Sequence, residues 1–290
     1  MRVFLRSLLG SILTPASRKQ LKRLEHEFKK AKGKLSPKMG EDDLRLLLTK
    51  DLRLQLGDTV MVHGGLSAVN TRLTPVDVRA VILDILGPRG NLVVPTFSPQ
   101  AAFTYMQGPE IFDSRTSRSG MGAIAETVRT TPGAIRSLHP TKSVAVLGPD
   151  ASGICAGHEA CAYPFGMNSP FAKLLEHDAR IIGIGVPMFY LSFVHVAEDM
   201  YPERASRPIW QPQPMHKLCR DGAHEITVST YVHDLSTMAR ANPEKFCSLH
   251  VPHEAFVICQ KFGAPFFSIR AQDLQQAILR GFETGFTIYD

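Results

Sequence analysis

The sequence predicts an α/β fold: a layered α/β/α body around a largely parallel central sheet, with a smaller C-terminal α+β lobe and a helical, basic N-terminal arm. Three observations carry that expectation. Strand and helix signals alternate between residues 59 and 200. One segment, Ile181–Val186, is wholly apolar and fits a strand buried on both faces. Positive charge is concentrated in residues 1–38, which hold eleven Lys/Arg against two Glu, whereas the other 252 of the 290 residues sum to −3.

In the arm, Leu5, Leu8, Leu9 and Ile12 fall on one helical face that Pro15 ends, and Leu21, Leu24, Phe28 and Ala31 form the stripe of a second helix over 17–32. Arg6 interrupts the first apolar stretch and no small-residue cleavage site follows, which argues against a signal peptide. Three destinations fit such an arm: the body itself, a second subunit in a homodimer, or an anionic membrane surface. No aromatic platform accompanies the charge, so nucleic acid is not expected as a partner.

The body begins near Gly40. A helix is expected over 42–54, then a turn at Gly57-Asp58 and a strand over 59–63. Thr74-Pro75-Val76-Asp77 is a helix start, with a capping Thr, Pro in the first turn and Asp three residues after the cap. That helix closes at Gly87-Pro88, and a strand follows over 91–97, so the unit predicts a parallel pair. Further helices are expected from Ala123 to Arg129, from Pro170, and through His195; further strands over 142–148 and 180–186. After Tyr201 four prolines fall close together, at 202, 208, 212 and 214, and mark an irregular crossover. Strands over 225–232 and 265–270 and helices over 253–262 and 272–282 complete the expected order.

No apolar run reaches the roughly 18–20 residues of a membrane-spanning helix. Five cysteines, an odd number without paired-ligand spacing, indicate free thiols and a cytoplasmic setting, peripheral to the inner membrane face if the arm binds lipid. Cys155-x-x-His158-x-x-Cys161 offers three metal ligands without a fourth, so no metal is expected.

Three stretches carry histidines suited to a shared cleft. His63 ends a strand and precedes Gly64-Gly65-Leu66-Ser67, a turn whose backbone N–H groups can hold phosphate or polarise a carbonyl. His139-Pro140-Thr141-Lys142-Ser143 supplies a rigid turn, hydroxyls and an imidazole. His195 meets Glu198 and Asp199 one turn on, where a carboxylate can orient an imidazole for base catalysis, although the same spacing also serves a surface ion pair. The chain has neither Gly-x-Gly-x-x-Gly nor a Walker lysine after the first turn, and His195 is not part of His-Glu-x-x-His.

Taken in order, His63…Leu66-Ser67, Val94-Pro95-Thr96-Phe97, Phe112-Asp113, Met121–Glu126, Arg136-Ser137-Leu138-His139-Pro140-Thr141-x-Ser143, Pro164-Phe165-Gly166-x-x-Ser169-Pro170, Gly183-x-Gly185-Val186 and His195-x-x-Glu198 resemble the aminoglycoside 3-N-acetyltransferase family. The resemblance covers about 42–200 well and the rest loosely. It implies a single acetyltransferase domain over 41–290, behind an arm over 1–40, with 41–200 as the CoA and catalytic part and 201–290 on the acceptor side. It implies direct transfer of acetyl from acetyl-CoA to an amine of an amino sugar or aminoglycoside-like acceptor, as in antibiotic resistance. His195 would be the base and Glu198 its orienting partner. His63, Gly64, Gly65, Leu66, Ser67, Thr96, His139 and Ser143 would hold the donor, and Glu126, Asp199 and Asp234 the cationic acceptor.

The chain departs from the family at three places. Gly64-Gly65 stands where Ser-Ser is usual, Phe189-Tyr190-Leu191 replaces polar residues before the helical histidine, and the basic arm is extra. The apolar wall at Phe189–Leu191 suits a polycationic acceptor poorly, and the basic arm resembles members tied to surface-sugar or natural-product pathways; acylation of a non-sugar amine in natural-product biosynthesis, or a non-catalytic CoA-binding or membrane-associated role, stay as alternatives.

Overall fold

The computed structural model describes residues 37–205 and 207–290; the two arm helices expected over 1–32 lie outside them. Among the described residues, ten strands form two sheets. The strands are β1 Thr59–Gly64, β2 Asn91–Pro95, β3 Phe112–Asp113, β4 Ile135–Arg136, β5 Val144–Leu147, β6 Arg180–Ile184, β7 Met215–Asp221, β8 His224–Thr230, β9 Phe256–Lys261 and β10 Ala264–Arg270. The α-helices are α1 Glu41–Leu46, α2 Pro75–Leu86, α3 Ala102–Gln107, α4 Ala123–Arg129, α5 Ala151–Cys155, α6 Pro170–Glu176, α7 Val196–Met200, α8 Leu235–Met238, α9 Pro243–His250 and α10 Ala271–Thr284.

The main sheet has the order β4-β5-β2-β1-β6-β10-β9. At its centre β2, β1 and β6 run parallel, and β1 is buried from Thr59 to His63. The outer neighbours β5, β4, β10 and β9 pair antiparallel. Because each flank reverses direction twice, β4, β2, β1, β6 and β9 still point the same way.

Alternation along the strands divides the core. Val60, Val62, Leu92, Val94, Ile182 and Ile184 face the layer of α1, α2 and α4. Met61, Val93, Val146, Ile181 and Phe267 face α5, α6, α7 and α10. This is the expected three-layer body. The Thr74–Asp77 capping box starts α2, and the Ser169 hydroxyl caps α6 by accepting from Ala172 N–H.

The C-terminal part serves both sheets. The β7–β8 hairpin joins β3 in a small second sheet, whereas β9, β10 and α10 complete the main one. Two expectations are corrected here. Residues 256–261 form strand β9 instead of a helix, because the β-prone Phe256-Val257-Ile258-Cys259 leads into a two-residue turn, Phe262-Gly263, with both φ positive (47° and 78°). The helix expected over 42–54 is α-helical only to Leu46 and widens into a π-turn at Leu47–Asp51.

Candidate active site

The C-terminal ends of β1 and β6 end side by side. His63 pairs in register with Gly183, and Gly183 with Phe267. A Cβ on Gly183 would lie 2.1 Å from the Phe267 ring, so the missing side chain lets that ring lie across the strand. The ring reaches His63 at 6.4 Å between centroids. His63 is 2% exposed, neither ring nitrogen has a hydrogen-bond partner among the described residues, and burial pulls its imidazole down to about 4.

The chain leaves β6, crosses the exposed Phe189 and Tyr190, and makes a 3-10 turn over Ser192–His195 before α7. That turn buries His195 to 4% exposure and sets its Nδ1 2.8 Å from Glu198 Oε2. Glu198, itself 4% exposed, also accepts from the Tyr289 hydroxyl at 3.2 Å. With Nδ1–H donated to the carboxylate, Nε2 carries the lone pair of a base.

Asp199 does not join this pair. The switch from 3-10 to α geometry swings it to the other side, where its carboxylate accepts from His233 Nε2 (2.9 Å), Trp210 Nε1 (2.8 Å) and Phe165 N–H (2.8 Å). His233 is therefore a second imidazole–carboxylate pair, 5.5 Å from the His195 ring. Burial draws it below its usual range, with Asp199 opposing. Phe165 packs beside both, 6.3 Å from His195 and 5.4 Å from His233.

His139 is fully buried. Its Nδ1 accepts from Lys142 N–H at 3.1 Å, so Nε2 donates to Thr230 Oγ1 at 3.2 Å, and its ring stacks on His158 at 4.4 Å. His158 accepts from Ser137 Oγ and donates to Pro164 O, both at 2.9 Å. Ser143 and Thr96 bond one another at 3.0 Å, and both accept from Arg136 Nε at 3.1 Å. These side chains fasten the β5 turn to its neighbours.

Lys142, in the same turn, points the other way. It is half-buried, with Nζ 4.4 Å from the Phe97 centroid and 5.6 Å from that of Phe165. Burial draws its ammonium down to about 8, partly opposed by Asp199.

Comparison with known proteins bears on what such a site does. The family model described as aminoglycoside 3-N-acetyltransferase matches residues 61–261. The chain belongs to this family. Among the 3-N-acetyltransferases it is 30% identical over 180 residues to aminoglycoside N(3)-acetyltransferase IX of Micromonospora chalcea, covering 57% of this chain and 64% of the relative. It is 31% identical over 189 residues to enzyme VII of Streptomyces paromomycinus, covering 59% and 65%. The match thus spans just under two thirds of each relative's length. The crystal structure of aminoglycoside acetyltransferase AAC(3)-Xa superposes with a TM-score of 0.74 over 91% of this chain and 99% of that one, at 23% identity. The structure of AAC-VIa bound to sisomicin superposes at 0.68 over 86% and 97%, at 25% identity.

Against the family's expected site, the structure brings His195 and Glu198 together and places His63 next to the last residue of β1, beside the Phe267 ring. It does not leave Thr96, His139 or Ser143 free for a ligand, since their polar atoms serve the fold. Gly64 and Gly65 have a packing reason. A Cβ on Gly64 would meet Ile124 Cδ1 at 2.7 Å, and one on Gly65 would meet Val186 Cγ1 at 2.7 Å and Gly185 O at 3.1 Å. Gly65 N–H is donated to Ile184 O, so of this turn Leu66 and Ser67, which open a 3-10 turn, have N–H groups without an intrahelical acceptor.

The three carboxylates expected to grip a cation are engaged within the protein. Asp199 is sealed inside. Glu126 accepts from Arg129 at 2.7 and 2.9 Å and from Ser119 N–H. Asp234 caps α8 through Ser236 and Thr237 N–H. Sequence reasoning missed His233, Trp210 and Tyr289, which carry no local signal, and Lys142, which lies inside a quoted motif.

Proposed function

We propose that the chain is a CoA-dependent N-acetyltransferase that moves an acetyl group from acetyl-CoA directly to an amine of an amino sugar or aminoglycoside-like acceptor. The observation that carries this reading is the buried His195–Glu198 pair, 2.8 Å apart, at the C-terminal end of the parallel strands in a member of this family. Support for the chemistry comes from relatives named aminoglycoside N(3)-acetyltransferases and from a structural neighbour, AAC-IIIb in its binary complex with CoASH. The acetyl donor is a substrate here. The unpartnered His63 ring and the Leu66 and Ser67 N–H groups supply hydrogen-bonding capacity that suits its pantetheine arm.

In the step, His195 Nε2 removes a proton as the amine nitrogen attacks the thioester carbonyl. The new C–N bond forms, the C–S bond breaks, and the proton held on His195 passes to the departing CoA sulfur. Glu198 holds the ring through Nδ1 and stabilises the imidazolium. General-base help of this kind is worth about 10²–10⁴-fold. His195→Ala should therefore keep its acetyl-CoA affinity and lose turnover on that scale, measured as CoA thiol release with an aminoglycoside panel. Full turnover in a folded His195→Ala protein would refute the mechanism.

Phe189 and Tyr190, 57% and 54% exposed and in edge contact at 5.6 Å, support an acceptor that stacks a ring face on this loop. The arm over 1–38, with its surplus of nine positive charges, is proposed to dock on an anionic membrane surface or a second subunit, outside catalysis.

A further inference from the structure

Lys142 has no role in the fold's polar bookkeeping. Its neighbours in the turn, His139, Thr141 and Ser143, are buried, and each side chain of the His139 and Ser143 pair is bonded to protein. The Lys142 ammonium, a group with three donors, meets no hydrogen-bond acceptor and no carboxylate within ion-pair distance among the described residues. It lies instead over two phenyl rings, 4.4 Å from Phe97 and 5.6 Å from Phe165. A cation on an aromatic face is held electrostatically but keeps its donors available.

Its position is the second observation. Residue 143 leads into β5, whose first residue pairs with Pro95 at the C-terminal end of β2. That is the edge of the sheet at which Gly64 and Ile184 end β1 and β6, with His63 one residue before. Phe165 links the groups, because the Lys142 ammonium, His195 and His233 are all packed around that one ring. A base and a cation without a polar partner are thus packed on the same ring.

We infer that Lys142 is a further catalytic residue: its ammonium binds the oxyanion that develops on the acetyl carbonyl as the amine attacks. The inference rests on the acetyl-transfer reading above. As the C–N bond forms, the carbonyl π pair moves onto oxygen, and Lys142 donates to that oxygen. As the pair returns, the C–S bond breaks and CoA leaves. Lys142 neither gains nor loses a proton in the cycle. The charged groups facing it are Asp199 from α7, which favours the ammonium, and the imidazoles of His139 and His233, which are held neutral by burial. The His195–Glu198 pair is packed on the same Phe165 ring.

Removing one preorganised oxyanion donor costs roughly 10²–10³-fold in kcat. Lys142→Met, which keeps the stem and loses the charge, should show that loss with an unchanged KM for acetyl-CoA, and Lys142→Arg should recover part of it. The pH profile gives a readout that a purely structural lysine would not move. In the wild type kcat should fall as pH rises through about 8, where the ammonium loses its proton, and Lys142→Met should lack that limb. A second measurement needs no turnover. S-Carboxymethyl-CoA, with an anionic oxygen near the carbonyl position, should bind the wild type about tenfold more tightly than Lys142→Met, whereas CoA should bind both equally. Lys142→Met with kcat within threefold of wild type and the alkaline limb intact overturns the assignment, as does equal loss of CoA and carboxymethyl-CoA binding. A wild type that binds neither thioether nor CoA sinks the donor reading itself, and this assignment with it.

Discussion

Glu198→Gln separates the two things the carboxylate does for His195. The glutamine oxygen can still accept from His195 Nδ1–H across the present 2.8 Å, so the tautomer that leaves Nε2 basic survives. The amide nitrogen replaces the oxygen that carries negative charge, so the imidazolium formed during proton transfer loses its counter-ion. Hydrogen bonds to charged groups are worth about 1.5–3 kcal/mol and neutral ones about 0.5–1.5. The difference, about 1–1.5 kcal/mol, corresponds to roughly a 5–12-fold drop in kcat at 25 °C. Tyr289 is the control. Its hydroxyl, kept protonated by burial and by the adjacent carboxylate, donates to the same Glu198 oxygen at 3.2 Å, and this bond too can be made to an amide oxygen. Turnover of Glu198→Gln followed by thiol release should therefore fall between wild type and His195→Ala, with donor affinity unchanged. A Glu198→Gln variant as fast as wild type, or slower than His195→Ala, would show that the carboxylate does not act through His195.

Gly65→Val should destabilise the fold instead of merely blocking the donor: the new Cβ would fall 2.7 Å from Val186 Cγ1 and 3.1 Å from Gly185 O, and overpacking of this kind costs about 1–3 kcal/mol, read as a lower urea midpoint at unchanged m-value. The buried neutral histidines give stability a definite pH slope. His63 and His158 titrate in the folded state at about 4 and about 3, below an unfolded value near 6.5, so the unfolded chain binds more protons between those limits. Stability present above pH 6.5 should drain away as pH falls to about 3–4, and His63→Phe should reduce the slope of the melting temperature over pH 4–6.5; an unaltered slope would contradict the burial assigned to this ring.

Much of this architecture was legible because it is written locally. The Thr74-Pro75-x-Asp77 box, the Ser169-Pro170 start and the apolar stretch from Ile181 each reflect forces acting within a few residues, and each element formed where its signals lay. The edge of the sheet was harder. Residues 256–261 lack the strict alternation of a half-buried strand, and their best clue was a Phe-Gly turn with φ positive at a phenylalanine, which sequence alone does not advertise. In the site, His195 and Glu198 were readable from an i,i+3 spacing. Asp199 was misjudged because the same helical wheel assumes continuous α geometry, whereas the chain makes a 3-10 turn up to His195 and gains α geometry only afterwards. Trp210 comes from the crossover after Tyr201 and His233 from the turn after β8, and nothing near either in sequence announces the carboxylate they share. The free lysine of the β5 turn was hidden by its setting, a motif whose other members hold the fold together.

The reach of Tyr289 back to Glu198 has a consequence for how the protein comes into being. The two residues are separated by 91 positions. At translation rates of about 5–20 residues per second, the hydroxyl that completes the carboxylate's surroundings is made roughly 5–18 s after the carboxylate itself. The strand β10, which lies against β6 and brings the Phe267 ring to His63, also emerges in that interval. Until then Glu198 lacks the Tyr289 hydroxyl, and the parallel strands β2, β1 and β6 have an open edge beside β6. A messenger truncated at codon 250 would therefore yield a chain with the quoted motifs all present and neither β10 nor Tyr289 beside them.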